Sequence, residues 1–292
     1  DMPGPLALLS AIVAYKRSGK GTKAWFSSAQ PGPGGRYYVY PRIISTGTST
    51  GRLASSRPNF QNVASRGWGT AVRRVIVPRR DDLVIVEADY SQLELRMMLY
   101  LAGRDVSQID SDAFSWLVGQ SGGLFEEASR RLGLSARQLA KVTSHASNYL
   151  EGLEFVRKKD FGRRGPLRVY EDWLAPPGRA AAFNGTNLAK RLFGSTDEGA
   201  RAEALRIQED VYFAAFRDIR DFQRSIVGQV VGGPPEGAYV LSPIGRAFYI
   251  YPGGGYEDGC KALAAFYGQG LSADFVIDRI LALYEKHAGL ID

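Results

Sequence analysis

LVIVEADYSQLELR, residues 83–96, changes its period half-way, and that change decides the fold. The first half is β-branched and apolar, which predicts a buried strand over residues 83–89. The second half has helical spacing and continues through MMLYLA, predicting an amphipathic helix over residues 92–102 that Gly103 stops. A strand thereby delivers Asp89 to a strand–helix junction, beside a free backbone carbonyl. Two roles suit a carboxylate there. It can cap the helix N-terminus. It can also hold a hard cation such as Mg²⁺, with positions left for waters and substrate phosphates.

Moving outward, residues 7–17 have helical spacing with a basic end, and 30–35 (QPGPGG) form a turn-rich connector. Residues 36–45 read as a strand and 46–62 as a polar loop. On the other side, 109–141 is helical with short interruptions, and 155–184, rich in Arg, Gly and Pro, reads as loop. A long helical stretch covers 198–231, a hairpin-like pair of strands brackets SPIGR within 238–251, and helix returns over 259–289. No fixed-period repeat is present. Mixed strands and helices predict an α/β or α+β fold.

Composition narrows the chemistry. The 292 residues carry 37 Lys and Arg against 30 Asp and Glu, a net charge of +7, with 45% hydrophobic residues. Such a chain can bury one large or two modest cores. Cys260 is the single cysteine, which excludes a disulfide framework and a cysteine zinc cluster. With only His145 and His287 besides, a metal would rest mainly on carboxylates, favouring Mg²⁺. No long uncharged apolar run and no secretory leader pattern is found, so the expectation is a cytoplasmic protein with no membrane partner.

Two further constellations carry chemistry. Arg137, Lys141, His145 and Tyr149 recur every four residues, so their side chains lie along one stripe of a helix that Ser135 and Gln138 open as a capping box. Such a stripe is either a solvated basic face or a clamp for a triphosphate, with His145 and Tyr149 against base and sugar. The segment 50–62, TGRLASSRPNFQN, either satisfies its own turns or offers Arg and amide donors to the minor groove and phosphates of a duplex.

Taken in order, these segments resemble family A (DNA polymerase I-like) DNA polymerases. Residues 50–62 resemble TGRLSS-x-PNLQN, 89–96 resemble motif A (DYSQIELR), and 137–149 resemble motif B (R-x3-K-x7-Y). IDSDAFSWLVG (109–119), LSPIGR (241–246, against TLFGR) and GQGLSAD (268–274, against VQGTAAD) add to the match. The resemblance covers most of residues 20–289 and leaves 155–192 as an insertion. It implies a right-hand palm sheet with helical fingers. Residues 1–29 would be a thumb-helix remnant and connector, 30–104 palm, 105–245 fingers, and 246–292 the return helix.

It also implies template-directed transfer of a dNTP to the 3′-OH of a DNA primer–template by two-metal catalysis with Mg²⁺. Asp89 would ligate the metals, aided by the Tyr90 carbonyl. Gln92, Glu94, Arg137, Lys141, His145 and Tyr149 would bind nucleotide, with Glu94 crowding a ribose 2′-OH. Arg52, Asn59, Gln61, Asn62, Lys261 and Gln269 would contact DNA. Several positions depart from the pattern. His145 stands for Phe or Tyr, Leu150 for the Gly after the motif B Tyr, Asp110 for a phosphate-contacting His, Lys261 for Arg and Ala265 for Asn. The His-Asp-Glu of motif C, source of the second catalytic Asp, is absent from the sequence. The expectation is therefore one part of a split or truncated enzyme, viral in character, whose partner polypeptide brings motif C and thumb. The alternatives are a non-catalytic primer–template or partner-binding remnant, and a segment of a longer chain. Glu94 within DYSQLELR argues against a single-subunit RNA polymerase.

Overall fold

The computed structural model describes residues 28–63, 73–234, 237–242, 244–250 and 255–288. The helix expected over 7–17 lies outside them. The chain forms two compact units, Asp1–Asp89 and Tyr90–Asp292.

The first unit is built of short antiparallel pairs. Strand β1 (Gln30–Pro31) pairs with β2 (Tyr37–Tyr38), and β3 (Arg42–Ile44) with β4 (Ala54–Ser56), Ile43 opposite Ser55. The strand expected over 36–45 is thus two shorter ones in separate sheets. The expected strand over 83–89 does not form. That segment joins no ladder among the described residues, and Val84, Ile85 and Val86 are 82%, 59% and 81% exposed. β-Branched residues favour a pleated surface, but a strand exists only where a neighbour supplies the ladder, and no described strand does.

The second unit is mainly helical. Helix α1 (Leu93–Leu101) is followed by α2 (Ala113–Gln120), α3 (Leu124–Leu132) and α4 (Ala136–Asn148). Their starts and stops follow local chemistry. Asp112 caps α2 and Ser135 caps α4, where the Gln138 N–H donates to Ser135 Oγ at 3.1 Å; Gly133, at φ 68°, closes α3. Residues 155–184, read as loop, instead supply most of an antiparallel sheet of β5 (Leu153–Val156), β6 (Arg168–Tyr170) and β7 (Ala180–Phe183), with β7 central. Strand β7 is AAAF and fully buried. Alanine carries no strand signal of its own, so burial between two neighbours decides this element.

Helices α5 (Thr186–Phe193), α6 (Glu198–Ile207) and α7 (Arg217–Val231) follow, with a π-helical segment, Gln208–Phe213, after α6 and a break at Phe216. The expected hairpin is β8 (Ala238–Leu241) with β9 (Ala247–Ile250), in register Ala238 opposite Ile250. Helix α8 (Tyr256–Ala265) runs through a π-helical turn, Phe266–Gly270, into α9 (Leu271–His287). The two larger apolar cores among the described residues sit inside this unit. One joins the β5–β7–β6 sheet to α7 and α8 through Phe155, Trp173, Phe183 and Phe266. The other gathers α1 to α4 around Leu99, Leu117, Leu139, Tyr212 and Phe216. The result is a mixed helix and sheet fold with small antiparallel sheets.

Candidate active site

Helix α4 carries the basic stripe, and its C-terminal end is the most firmly held. Leu150 terminates it in the left-handed region at φ 54°. The Glu151 N–H donates to Ala146 O at 3.0 Å and the Leu150 N–H to Ser147 O at 3.1 Å, the paired bonds of a Schellman stop. Glycine usually occupies such a position because a Cβ there costs about 1–2 kcal/mol. Leu150 accepts the strain and is fully buried in the sheet-side core, which returns about 1.5–3 kcal/mol. Buried polar bonds fix the same end: Tyr212 Oη donates to Asn148 Oδ1 at 2.9 Å, and Gln208 Nε2 to Ser147 Oγ at 3.2 Å.

Tyr149 follows as the C-cap residue, and its hydroxyl donates to Glu94 Oε2 at 2.5 Å, joining the end of α4 to the first turn of α1. Gly268 makes room for the ring. A Cβ on it would lie 2.9 Å from Tyr149 Cε1 and 3.0 Å from Oη. His145 packs edge-on against Tyr149, centroids 5.4 Å apart, and stays exposed, as does Lys141.

Arg137, at the other end of the stripe, is occupied. Its Nε donates to Asp112 Oδ2 at 2.5 Å and its Nη2 to Asp112 Oδ1 at 3.1 Å. The guanidinium, foremost, holds the Asp112 carboxyl down at about 2. Asp112 also accepts from the Phe114 N–H and the Ser115 hydroxyl while capping α2. Sequence reasoning singled out Asp110 and missed Asp112, whose role depends on a residue 25 positions away. The signal available was an Asp three residues before Ser115, at a helix start.

Gln92 and Arg96 brace the junction. Gln92, at φ 47°, accepts from the Ala113 N–H at 2.8 Å through Oε1, tying the start of α1 to the start of α2. Arg96 donates to Ser91 O at 2.9 Å, to Ile109 O at 3.0 Å and to Asp110 O. Tyr90 packs edge-on against Phe275, centroids 5.3 Å apart. Asp89, the last residue of the first unit, is exposed.

Among the remaining candidates, Lys261 lies half-buried on α8 and Gln269 half-buried in the π-helical turn. In the first unit, Asn59 Oδ1 accepts from the Gln61 N–H at 3.0 Å and Gln61 Nε2 donates to Leu53 O at 2.8 Å, so both amides brace their own loop. Arg52 and Asn62 are exposed on it. Among the described residues no group of three or more His, Cys, Asp or Glu gathers to hold a metal. An exposed carboxylate next to a peptide carbonyl, Asp89 and Tyr90, fits a hard ion that arrives already bound to phosphates, and does not form a closed cage.

Comparison with known proteins shows what the chain is similar to. Residues 7–107 match DNA polymerase family A. The thermostable DNA polymerase I of Thermus filiformis is 27% identical over 187 residues, 58% of this chain and 22% of the relative. DNA polymerase I of Caldicellulosiruptor bescii is 46% identical over 65 residues, 22% of this chain and 8% of the relative. The chain thus matches at most about a fifth of the length of these curated relatives. The fold resembles the polymerase domain of Pol1 from M. smegmatis, solved in complex with DNA primer-template and dNTP, at a TM-score of 0.56 and 22% identity, over 92% of this chain and 41% of that one. In motif sequence this chain is similar to family A DNA polymerases, and in fold it is similar to a polymerase domain.

Proposed function

We propose that the chain selects and positions a dNTP for template-directed transfer to the 3′-OH of a DNA primer–template, inside the cell. The observation that carries this reading is the 2.5 Å bond from Tyr149 to Glu94, which closes one end of a helix face whose other side chains are Lys141, His145 and Arg137. The Tyr149–Glu94 pair forms a polar wall where a 2′-OH would need room, so a deoxyribose is favoured. Lys141 meets the triphosphate as a point charge. Arg137 joins it by exchanging the Asp112 carboxylate for phosphate oxygens, an exchange of like for like in geometry. His145 abuts base and sugar.

Asp89 and the Tyr90 carbonyl would hold Mg²⁺, together with substrate phosphates. When bound, Mg²⁺ lowers the pKa of the attacking hydroxyl and neutralises the departing pyrophosphate. The second acidic ligand lies outside these 292 residues, on further chain or on a partner polypeptide that also brings the thumb. Arg52, Asn59, Gln61 and Asn62 of the palm segment (30–104) and Lys261 and Gln269 of the return helix (246–292) contact the primer–template, with the fingers segment (105–245) carrying the nucleotide-binding stripe. The bidentate Arg137–Asp112 pair favours one other reading, a non-catalytic remnant that grips primer–template or a partner with its triphosphate clamp shut.

Primer extension with Mg²⁺ and dNTPs, by the chain alone and mixed with candidate partner chains, separates the two. We expect extension that Asp89→Ala abolishes while DNA affinity changes less than about twofold, since only a metal ligand is lost. Glu94→Ala should then raise ribonucleotide use relative to deoxynucleotide by about tenfold or more. Inactivity with every partner would establish the remnant.

A further inference from the structure

The segment between β5 and β6, RKKDFGRRGPLR over residues 157–168, carries six Arg or Lys against a single Asp. Its local net charge of +5 compares with +7 for the whole chain, so most of the excess charge sits in twelve residues. Three of the six are tied down: Lys158 to Glu171 at 3.2 Å, Arg164 to Glu154 at 3.4 Å, and Arg168 to Glu209 at 3.9 Å. Arg157, Lys159 and Arg163 are exposed and meet no acidic partner among the described residues.

The segment is held, not loose. It includes a 3₁₀ helix, Lys158–Arg163, and Arg201 of α6 donates to Arg164 O at 2.7 Å and to Pro166 O at 3.4 Å, and also to Asn184 O at 3.1 Å. Gly165, at φ 70°, lets that guanidinium approach: a Cβ there would lie 3.1 Å from Arg201 Nη1. The β5–β7 ladder ends at Val156 opposite Ala180, so Arg157 and Arg179 leave the sheet side by side at the same end. Like charges so placed repel. A fold that spends binding elsewhere to present them in one orientation is suited to an anionic polymer rather than to water alone.

Resting on the nucleic-acid reading above, we propose that residues 157–163 are an additional phosphodiester-binding strip, contacted by the sugar–phosphate backbone of DNA without regard to sequence. Six residues of 3₁₀ helix extend about 12 Å at ~2.0 Å per residue. Three or so phosphates of one strand, ~3.4 Å apart along a duplex, match that length. The strip is also near enough to act on the same DNA as α4, because the eight residues from Tyr149 to Arg157 span at most about 29 Å.

The test measures DNA affinity by fluorescence anisotropy between 0.05 and 0.2 M salt, a working range of about two salt doublings, for the whole chain and for the triple variant Arg157→Ser, Lys159→Ser, Arg163→Ser. All three positions are exposed, and thermal melting checks that the variant folds. We expect the slope of log affinity against log salt to flatten by about 2 to 3, and affinity near 0.1 M salt to fall of the order of a hundredfold. Primer extension is assayed alongside. An unchanged slope in a variant whose parent extends primers would overturn the strip and leave the polymerase reading standing. A flattened slope in a variant whose parent extends nothing, alone or with any candidate partner chain, would do the reverse. Binding of the parent to phosphatidylserine vesicles, lost in the variant while the DNA slope is kept, would assign the strip to a lipid surface and sink the proposal.

Discussion

Leu150 shows how a single residue can be strained and stabilising together. At φ 54° alanine is unfavourable relative to glycine, yet the buried leucine side chain more than offsets the strain. Leu150→Ala should therefore lose about 2–5 kcal/mol, the cost of the cavity, since the backbone penalty is common to both side chains. Leu150→Gly should be about 1 kcal/mol more stable than Leu150→Ala, the opposite of the order within a helix. Urea melts of both variants measure the order, and Ala above Gly would refute the left-handed stop.

Asp112 is the residue that sequence reading could not have ranked. Its carboxyl is held at about 2 by Arg137, against about 3.9 in an unfolded chain. A depressed acid contributes stability that is complete above about pH 4 and is lost as pH falls toward 2. Nucleotide affinity measured from pH 6 to 9 should accordingly show no titration from this pair. Asp112→Asn keeps the α2 cap but releases Arg137, and should tighten dNTP binding about two- to fivefold, the worth of a solvent-exposed ion pair. Equal affinities would mean that Arg137 does not reach the triphosphate.

At the scale of elements, the β5–β7–β6 sheet is anchored by one cation. Arg220 of α7 is nearly buried, bonds to Glu209 and the Tyr170 hydroxyl, and lies 3.4 Å from the Phe213 ring centroid and 4.3 Å from that of Tyr170, with Trp173 and Phe183 close by. Burial pulls its pKa down and pushes that of Tyr170 up. Removing it leaves the largely buried Glu209 with only the Tyr170 hydroxyl and a distant Arg168 at 3.9 Å among the described residues. Arg220→Met should cost about 3–5 kcal/mol, and adding Glu209→Gln should recover part of that. Denaturant melts decide, and a loss under about 1 kcal/mol would remove the pair from the list of anchors.

The start of α4 was legible because Ser135 writes it locally and the 3.6 period does the rest, whereas the caps at Asp112 and Gly133 went unread within one long helical stretch. The DYSQLELR and R-x3-K-x7-Y stretches were legible for the same reason, since each is contiguous or evenly spaced. Strand β7 was hidden, because AAAF becomes a strand only between β5 and β6, and the 83–89 segment was over-read, because its branched residues describe a preference for a neighbour the described residues do not supply. The Arg137–Asp112 and Arg220–Glu209 pairs were hidden too, because pairing across 25 and 11 residues is fixed by packing and not by pattern.

For the molecule as a whole, apolar surface and charge are unevenly distributed. Helix α9 leaves Ile280, Leu281, Leu283 and Tyr284 exposed, each by more than half of its surface. Such a patch on a chain of net charge +7 favours self-association once salt screens the repulsion. Sedimentation at rising concentration should show association that increases with salt and that Leu281→Glu with Tyr284→Glu suppresses. A monomer at all concentrations would show that this surface is inert. No helix among the described residues is long and apolar enough to cross a membrane, so the exposed face of α9 is not a span.

The Schellman stop at Leu150 has a mechanical consequence. Helix α4 is clamped at that end by buried amides and a core leucine, and it carries its guanidinium thirteen residues away from Leu150, a lever arm of about 20 Å at ~1.5 Å per residue. Tilting the arm by 3° about this fulcrum moves Arg137 by about 1 Å, enough to exchange a carboxylate for a phosphate. On the proposed reading, methylene-sized changes in the packing beneath Leu150 would thus retune the grip on a triphosphate without touching any residue that contacts it.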